Sequence, residues 1–183
     1  GVYALKYQDD LAAFARGAGI GDCTIYNSVE ELCKNVDAVC LFAPNFVRLE
    51  LMEEIAAAVK AGAELKGIIC EKPLGRTVAE SQQLVEIARS TGLPNAYFEN
   101  QLHMKAINAQ RQQLAPLSEV MGPLTLARCA EEHCGPHEPW FWDPTRQGGG
   151  VLADMGCHSI AVGWYVLTPM NEPVDFLKPV SIN

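Results

Sequence analysis

The chain reads as an α/β protein: a parallel, doubly wound sheet followed by the start of an α+β second domain. Three observations predict it. Up to about residue 100, apolar runs of strand length alternate with amphipathic helical segments, the βαβα order of a parallel sheet. The run Gly67-Ile68-Ile69-Cys70 ends abruptly in Glu71-Lys72-Pro73-Leu74. A buried strand has no packing use for that charged pair, whereas the carboxyl edge of a parallel sheet is where ligands bind. Beyond residue 100 the rhythm changes, so the expected domains are 1–100 and 101–183.

Taken in order, Val2 to Leu5 is expected as a strand and Asp9 to Arg16 as a helix with Leu11, Phe14 and Ala15 turned inward. Gly17-Ala18-Gly19-Ile20-Gly21 superficially matches a phosphate-binding glycine loop. Asp22 stands where the third glycine would fall, however, and the segment follows a helix, so it reads as a C-cap and turn. Ser28 with Glu31 forms a capping box that opens a short helix. After Asp37 the residues to Ala43 are almost all apolar, as in a strand covered on both faces, and Pro44-Asn45 breaks the run. Leu49 to Lys60 is expected as a helix stopped by Gly62.

Pro73 keeps Lys72 out of helical geometry and is compatible with a cis bond. Thr77 with Glu80 is a second capping box, and Leu84, Val85, Ile87 and Ala88 give the apolar face of a helix closed by Gly92. Asn95 to Phe98 supplies one more strand. Lys105 to Leu117 follows as a helix and Leu124 to Ala130 as a strand. A loop rich in His, Pro and Trp runs to Gln147, and Gly148-Gly149-Gly150 leads into a helix from Val151 to Leu167.

Composition narrows the function classes. At 183 residues with 49% hydrophobic content the chain can build a real core. The formal charge of -8, without clustered Lys or Arg, disfavours a nucleic-acid partner. No apolar run approaches the roughly 20 residues of a membrane span, so no membrane partner is expected. The seven cysteines are odd in number and several sit in apolar runs, which reads as reduced, mostly buried thiols of a cytoplasmic protein.

Asp154 and His158 lie four residues apart, which on an α-helix puts both side chains on one face. Gly156 between them costs about 0.5 to 1 kcal/mol relative to Ala, a penalty accepted where a backbone or ligand approaches closely. Each motif alone has an ordinary structural explanation: a local hydrogen bond for Asp154 and His158, and a polar strand end capped by a turn for Lys72-Pro73.

Together the motifs say more. Ala43-Pro44-Asn45, then Glu71-Lys72-Pro73-Leu74, then Gly148-Gly149-Gly150 with Asp154 and His158 occur in one order along essentially the whole chain. This pattern resembles the Gfo/Idh/MocA family of NAD(P)-dependent oxidoreductases. The resemblance implies an incomplete Rossmann-type sheet, its first strand and glycine loop missing, and hence an internal fragment of a longer protein. It implies cofactor contacts from Ala43, Pro44, Asn45, Glu71, Lys72 and Pro73, and a catalytic set of Lys72, Asp154 and His158. The implied cofactor is NAD or NADP, with Lys6 a weakly placed candidate for the ribose contact. The implied substrate is a sugar, polyol or sugar derivative, and homo-oligomerisation is expected of the complete protein.

The residue types suit that chemistry. Oxidising a secondary alcohol requires removal of its proton while hydride leaves carbon, and a histidine that titrates near neutrality can take that proton. Lys72 would stabilise the developing alkoxide, and Asp154 would orient the imidazole or hold a neighbouring hydroxyl. Lys72 and His158 are accordingly expected to open onto a common cavity. Phe46-Val47-Arg48 and Trp140-Phe141-Trp142 depart from the family pattern and are read as substrate or cofactor trimming. Asn100 and Gln101 read as surface loop polarity.

Two rivals stand beside this reading. His133, Cys134, His137, Cys157 and His158 gather metal-ligating types, but Gly135-Pro136 breaks any helix between the first histidines, so no metal is expected. A non-catalytic sugar- or nucleotide-sensing regulator of the same fold is the alternative, although it would have no need to retain a proton-transfer set.

Overall fold

The structure is a computed structural model that describes residues 2, 6–136, 138–173 and 175–181. The chain forms two compact units, one of residues 1–98 with 145–148 and one of residues 99–144 with 149–183.

The first unit is built on three parallel strands, β1 (Ala38–Leu41), β2 (Gly67–Glu71) and β3 (Asn95–Phe98), in the order β1-β2-β3. Ala38 pairs with Gly67 and Ile68 with Asn95, so the strand ends step together toward Leu41, Glu71 and Phe98. Helices α1 (Gln8–Gly17), α2 (Val29–Cys33), α3 (Arg48–Lys60) and α4 (Val78–Ser90) complete this unit with residues 145–148. Both N-caps form: Ser28 Oγ accepts from the Glu31 amide at 3.0 Å, and Thr77 Oγ1 from the Glu80 amide at 3.1 Å, while the two Glu carboxylates accept from the amides of Asn27 and Arg76, one residue before each cap. Beyond α3 and α4, Gly62 (φ 98°) and Gly92 (φ 70°) turn the chain into left-handed space.

One core holds the unit together. Val39, Leu41, Ile68 and Cys70 from the sheet pack with Val29, Cys33, Met52, Ile55, Ala58, Leu84 and Ala88 from α2, α3 and α4. The strand residues in this core share one face of the sheet. On the opposite face none of Ala38, Cys40, Phe42, Ile69 or Phe98 is buried, so the expectation of a strand covered on both faces fails for β1. Alternating burial marks it as a one-sided strand, because the packed helices lie on the Val39 side.

Other expectations need correction. In α1 the buried residue is Ala12, while Leu11 is 48% and Phe14 68% exposed, so the inward face was misassigned. Gly17 to Gly21 do form a helix end and turn, with Gly19 at φ 68°. All seven cysteines are free, but only Cys33 and Cys70 are buried. Cys40 lies on the uncovered sheet face, and Cys129 and Cys134 lie in an extended stretch without strand partners. Val2 makes an isolated parallel bridge to Ile25; the rest of the expected Val2–Leu5 strand, and His137, lie outside the described residues.

The second unit is helical among the described residues. Its main elements are α5 (Lys105–Met121) and α7 (Cys157–Leu167), with the short α6 (Pro144–Gln147) falling at the boundary between units. Arg111 of α5 stacks over the Tyr165 ring of α7 at 4.0 Å, and the Tyr165 hydroxyl donates to Asn108 Oδ1 at 2.9 Å. α5 runs past Pro116 to Met121, four residues beyond the expected end. Leu124 to Ala130 forms no strand, since no described segment pairs with it.

The expected helix from Val151 divides. Leu152–Gly156 is a π-helical segment, and regular α-helix begins only at Cys157. Within Pro144–Leu167, 24 residues, one 18-residue window reaches a mean hydropathy of 1.2, so by length and composition alone the stretch meets the requirement of a membrane span, which the sequence reading did not expect. It carries Arg146, Asp154 and His158, and Gly148 (φ 92°) and Gly150 (φ 59°) bend its first half.

Candidate functional site

The residues expected to bind or react fall in two groups, one in each unit.

In the first unit they line the carboxyl edge of the sheet. β1 ends at Leu41, and Ala43-Pro44 leads into a 3₁₀ turn, Asn45–Val47, that runs directly into α3. β2 ends at Glu71, after which Lys72 and Pro73 are joined by a cis peptide bond. Glu71, Lys72 and Pro73 are each half-buried. The rings of Phe42 and Phe98, from the flanking strands, meet at 5.7 Å beside this edge.

Arg48, the first residue of α3, ties the two loops together. Its side chain is buried, with Nη2 donating to the Ala43 carbonyl at 2.6 Å and Nη1 to the carbonyls of Pro73 and Leu74. Burial lowers the guanidinium pKa, while Cys70 and Glu71 nearby act the other way. Burying such a cation is costly unless acceptors are arranged around it, and here they are the carbonyls that shape the strand-end loops. Arg48, read from sequence with Phe46 and Val47 as trimming of a substrate or cofactor pocket, thus braces the two strand-end loops.

A distant segment completes this edge. Asn45 is buried and donates from Nδ2 to the Gln147 carbonyl at 2.8 Å. Arg76 donates from Nη1 to the Thr145 carbonyl at 2.7 Å and pairs through Nη2 with Glu80 at 2.5 Å. That pairing holds the Glu80 carboxyl below its ordinary range, against the opposing effect of burial. Gly148 sits so close to Arg76 that an added Cβ would lie 2.5 Å from its carbonyl oxygen. Arg146 lies over the Phe46 ring at 5.0 Å. Lys6, the weak ribose candidate, is exposed with its ammonium over the Tyr7 ring at 4.6 Å. An open depression of about 740 Å³ runs along α4 from Leu74 to Arg89, and it contains none of the expected site residues.

In the second unit Asp154 lies in the π segment and is half-buried, whereas His158 lies in the first turn of α7 and is buried. The i, i+4 argument assumed one continuous α-helix, and the wider π turn changes the angular spacing. The partner of His158 Nδ1 is the carboxylate of Glu99, a residue the sequence reading passed over. Glu99 follows β3 directly, in the same relation that Lys72 has to β2, so the rule about parallel strand ends was sufficient to find it. Of its neighbours, Asn100 is exposed, while Gln101 is half-buried and donates to Glu131 Oε1 at 3.1 Å. Trp140 and Phe141 stack at 3.9 Å, and Trp142 is exposed.

Donor atoms of Glu99, Cys157 and His158 lie within 4.8 Å of one another, a grouping that could hold a metal ion. It shares Cys157 and His158 with the cluster weighed from sequence, but Glu99 takes the place of His133 and Cys134, which are exposed.

Comparison with known proteins places the chain. Residues 7–100 match the family described as "Oxidoreductase family, NAD-binding Rossmann fold", and residues 117–175 match a GFO/IDH/MocA C-terminal domain. The chain belongs to the Gfo/Idh/MocA family of oxidoreductases. It is 30% identical over 167 residues to 1,5-anhydro-D-fructose reductase of Ensifer adhaerens, covering 90% of this chain and 47% of the relative. Over 152 residues it is 29% identical to D-glucoside 3-dehydrogenase of Escherichia coli, covering 80% and 41% respectively. In fold it matches GenD2 from gentamicin A biosynthesis, solved in complex with NAD, with a TM-score of 0.69 at 23% identity over 85% of this chain and 42% of that one. The chain thus spans less than half the length of the curated relatives named here.

Proposed function

We propose that the protein transfers a hydride between a secondary alcohol of a sugar, polyol or sugar derivative and a nicotinamide dinucleotide. The observation that carries this reading is the position of Lys72. It follows the last residue of the middle strand of a parallel sheet, within the part of the chain that matches an NAD-binding oxidoreductase family. The named activities of the two sugar-acting relatives support the substrate class.

The strand ends fit the cofactor in kind. Two loops braced by one buried guanidinium, with the exposed ring of Phe42 beside them, offer backbone and apolar surface at the edge where dinucleotides lie. Ala43, Pro44, Asn45, Glu71, Lys72 and Pro73 are the residues proposed to hold it; for Asn45, whose amide already bonds Gln147, the contribution would be to shape the loop. The dinucleotide, when bound, supplies the hydride chemistry.

The chain's own residues handle the proton and the charge. His158 takes the hydroxyl proton in the oxidative direction and returns it in the reverse, an effect worth roughly 10²- to 10⁴-fold. Lys72 stabilises the oxygen as it gains negative charge, and Asp154 holds a substrate hydroxyl. Assay of the complete protein with NAD and NADP against sugars, anhydrosugars and inositols tests the reading. Cofactor reduction with at least one of these is expected. Tight binding of cofactor and sugar without turnover would overturn it in favour of a sensing regulator.

A further inference from the structure

Resting on that reading, we infer that Glu99 is the positioning residue for His158, fixing its imidazole so that Nδ1 carries the proton and Nε2 is the basic nitrogen. Both groups are withdrawn from solvent, Glu99 at 3% and His158 at 5% exposure. Glu99 Oε1 meets His158 Nδ1 and also accepts from the Gln101 amide at 3.1 Å. Its Oε2 is buried and has no hydrogen-bond partner among the described residues.

A carboxylate costs several kcal/mol to bury, and a helix cap alone does not require that burial, because caps work at the surface. An ionised carboxylate only accepts hydrogen bonds, so the imidazole nitrogen facing it must be the one bearing hydrogen. That assignment leaves the Nε2 lone pair free of the proton, the form needed to accept one from an alcohol. In the step itself the hydroxyl proton passes to Nε2 and the electron pair of the O–H bond stays on oxygen. The Nδ1 proton does not move, and Glu99 remains a carboxylate beside the new imidazolium. A carboxylate–imidazole pair of this kind selects the tautomer and stabilises the charged ring without itself being protonated.

Asp154, which the spacing in sequence nominated for this task, sits in the π segment one turn earlier, and its backbone carbonyl accepts from the Cys157 thiol at 3.4 Å. Cys157, grouped with the pair, and Glu131, bonded to Gln101, are titratable neighbours, so a tautomer reading is a cleaner measure here than a pH profile alone.

The test is ¹⁵N NMR of the histidine side chains in the complete, EDTA-treated protein, with His158→Gln used to assign the His158 signals. The wild type is expected to show a protonated Nδ1 and an unprotonated Nε2 in the neutral ring, and Glu99→Leu is expected to populate the Nε2–H form. An Nε2–H tautomer in the wild type, or an unchanged tautomer in a folded Glu99→Leu protein, overturns the inference whether or not a substrate has been found. Should the Leu variant not fold, Glu99→Gln keeps size and capping capacity. Its kcat is expected to fall roughly 10- to 100-fold with KM little changed, and Glu99→Asp to recover part of the loss. A Gln variant with kcat within twofold of wild type would also overturn it.

Discussion

Arg48 and Pro73 are joined by a part-buried hydrogen bond from guanidinium to carbonyl, and through it the loop after β1 is fastened to the loop after β2. The placement of Lys72 therefore depends on a side chain 24 residues earlier. Three carbonyls, those of Ala43, Pro73 and Leu74, share this one donor group.

Replacing Arg48 with Met keeps most of the aliphatic stem and removes every donor. The part-buried carbonyls then lose their partners, at about 1–3 kcal/mol each where they stay dry. Urea denaturation is expected to show a loss of roughly 2–4 kcal/mol. Arg48→Lys should recover less than half, because a single ammonium cannot span the fork. A Met variant as stable as wild type would show that water replaces the guanidinium at no cost.

Gly148 makes a sharper steric prediction. Its φ of 92° is left-handed, and a Cβ would press within 2.5 Å of the Arg76 carbonyl oxygen and 2.7 Å of its Cα. Gly148→Ala is expected to cost roughly 2–4 kcal/mol, combining backbone strain with a clash against main chain. Gly150→Ala has φ 59° and no atom within 4 Å of its Cβ, so about 1 kcal/mol is expected there. Thermal melts of the two variants compare them directly, and equal losses would mean that the Arg76 contact carries no weight.

Cys70 links the core to pH. Burial raises its thiol pKa from 9.0 to about 11, with the Arg48 charge partly opposing. Between those two values the folded protein keeps a proton that the unfolded chain has released, so stability falls as pH rises across that window. The whole effect amounts to roughly 2–3 kcal/mol. Denaturation midpoints of wild type and Cys70→Ala should therefore converge from pH 9 to pH 11. Parallel curves would contradict the shift. The same burial predicts that Cys70 resists alkylation near neutrality.

Much of the first unit was legible in its residues because each signal there is local. Capping boxes at Ser28 and Thr77, apolar runs before Pro44 and Lys72, and glycines at 62 and 92 fixed the helices and strands within a residue or two. What escaped was non-local. The one-sided burial of β1 depends on which helices pack where, and periodicity in four residues cannot show it. Leu124 to Ala130 has strand composition, but a strand exists only with a partner. The π segment before Cys157 has no signature in the spacing of Asp154 and His158, and it defeats a rule that assumes 3.6 residues per turn.

Among the site residues, Lys72 and His158 stood out through motif, whereas Arg48 and Glu99 did not. Arg48 reads, with Phe46 and Val47, as pocket trimming, because its burial against strand-end carbonyls leaves no local signal in the sequence. Glu99 carries a readable signal, an acid just past a parallel strand, which the polar pair Asn100-Gln101 beside it masks.

The central claim is that Lys72 and His158 act on one hydroxyl. A double-mutant cycle on kcat in the complete protein, using Lys72→Ala, His158→Ala and the pair, tests it most directly. Each single change is expected to cost about 10²-fold or more, and the double variant to be little slower than the worse single one, because one disabled proton-transfer step leaves little for the second loss to remove. Losses that multiply in full, or a single variant that turns over like wild type, would contradict the account.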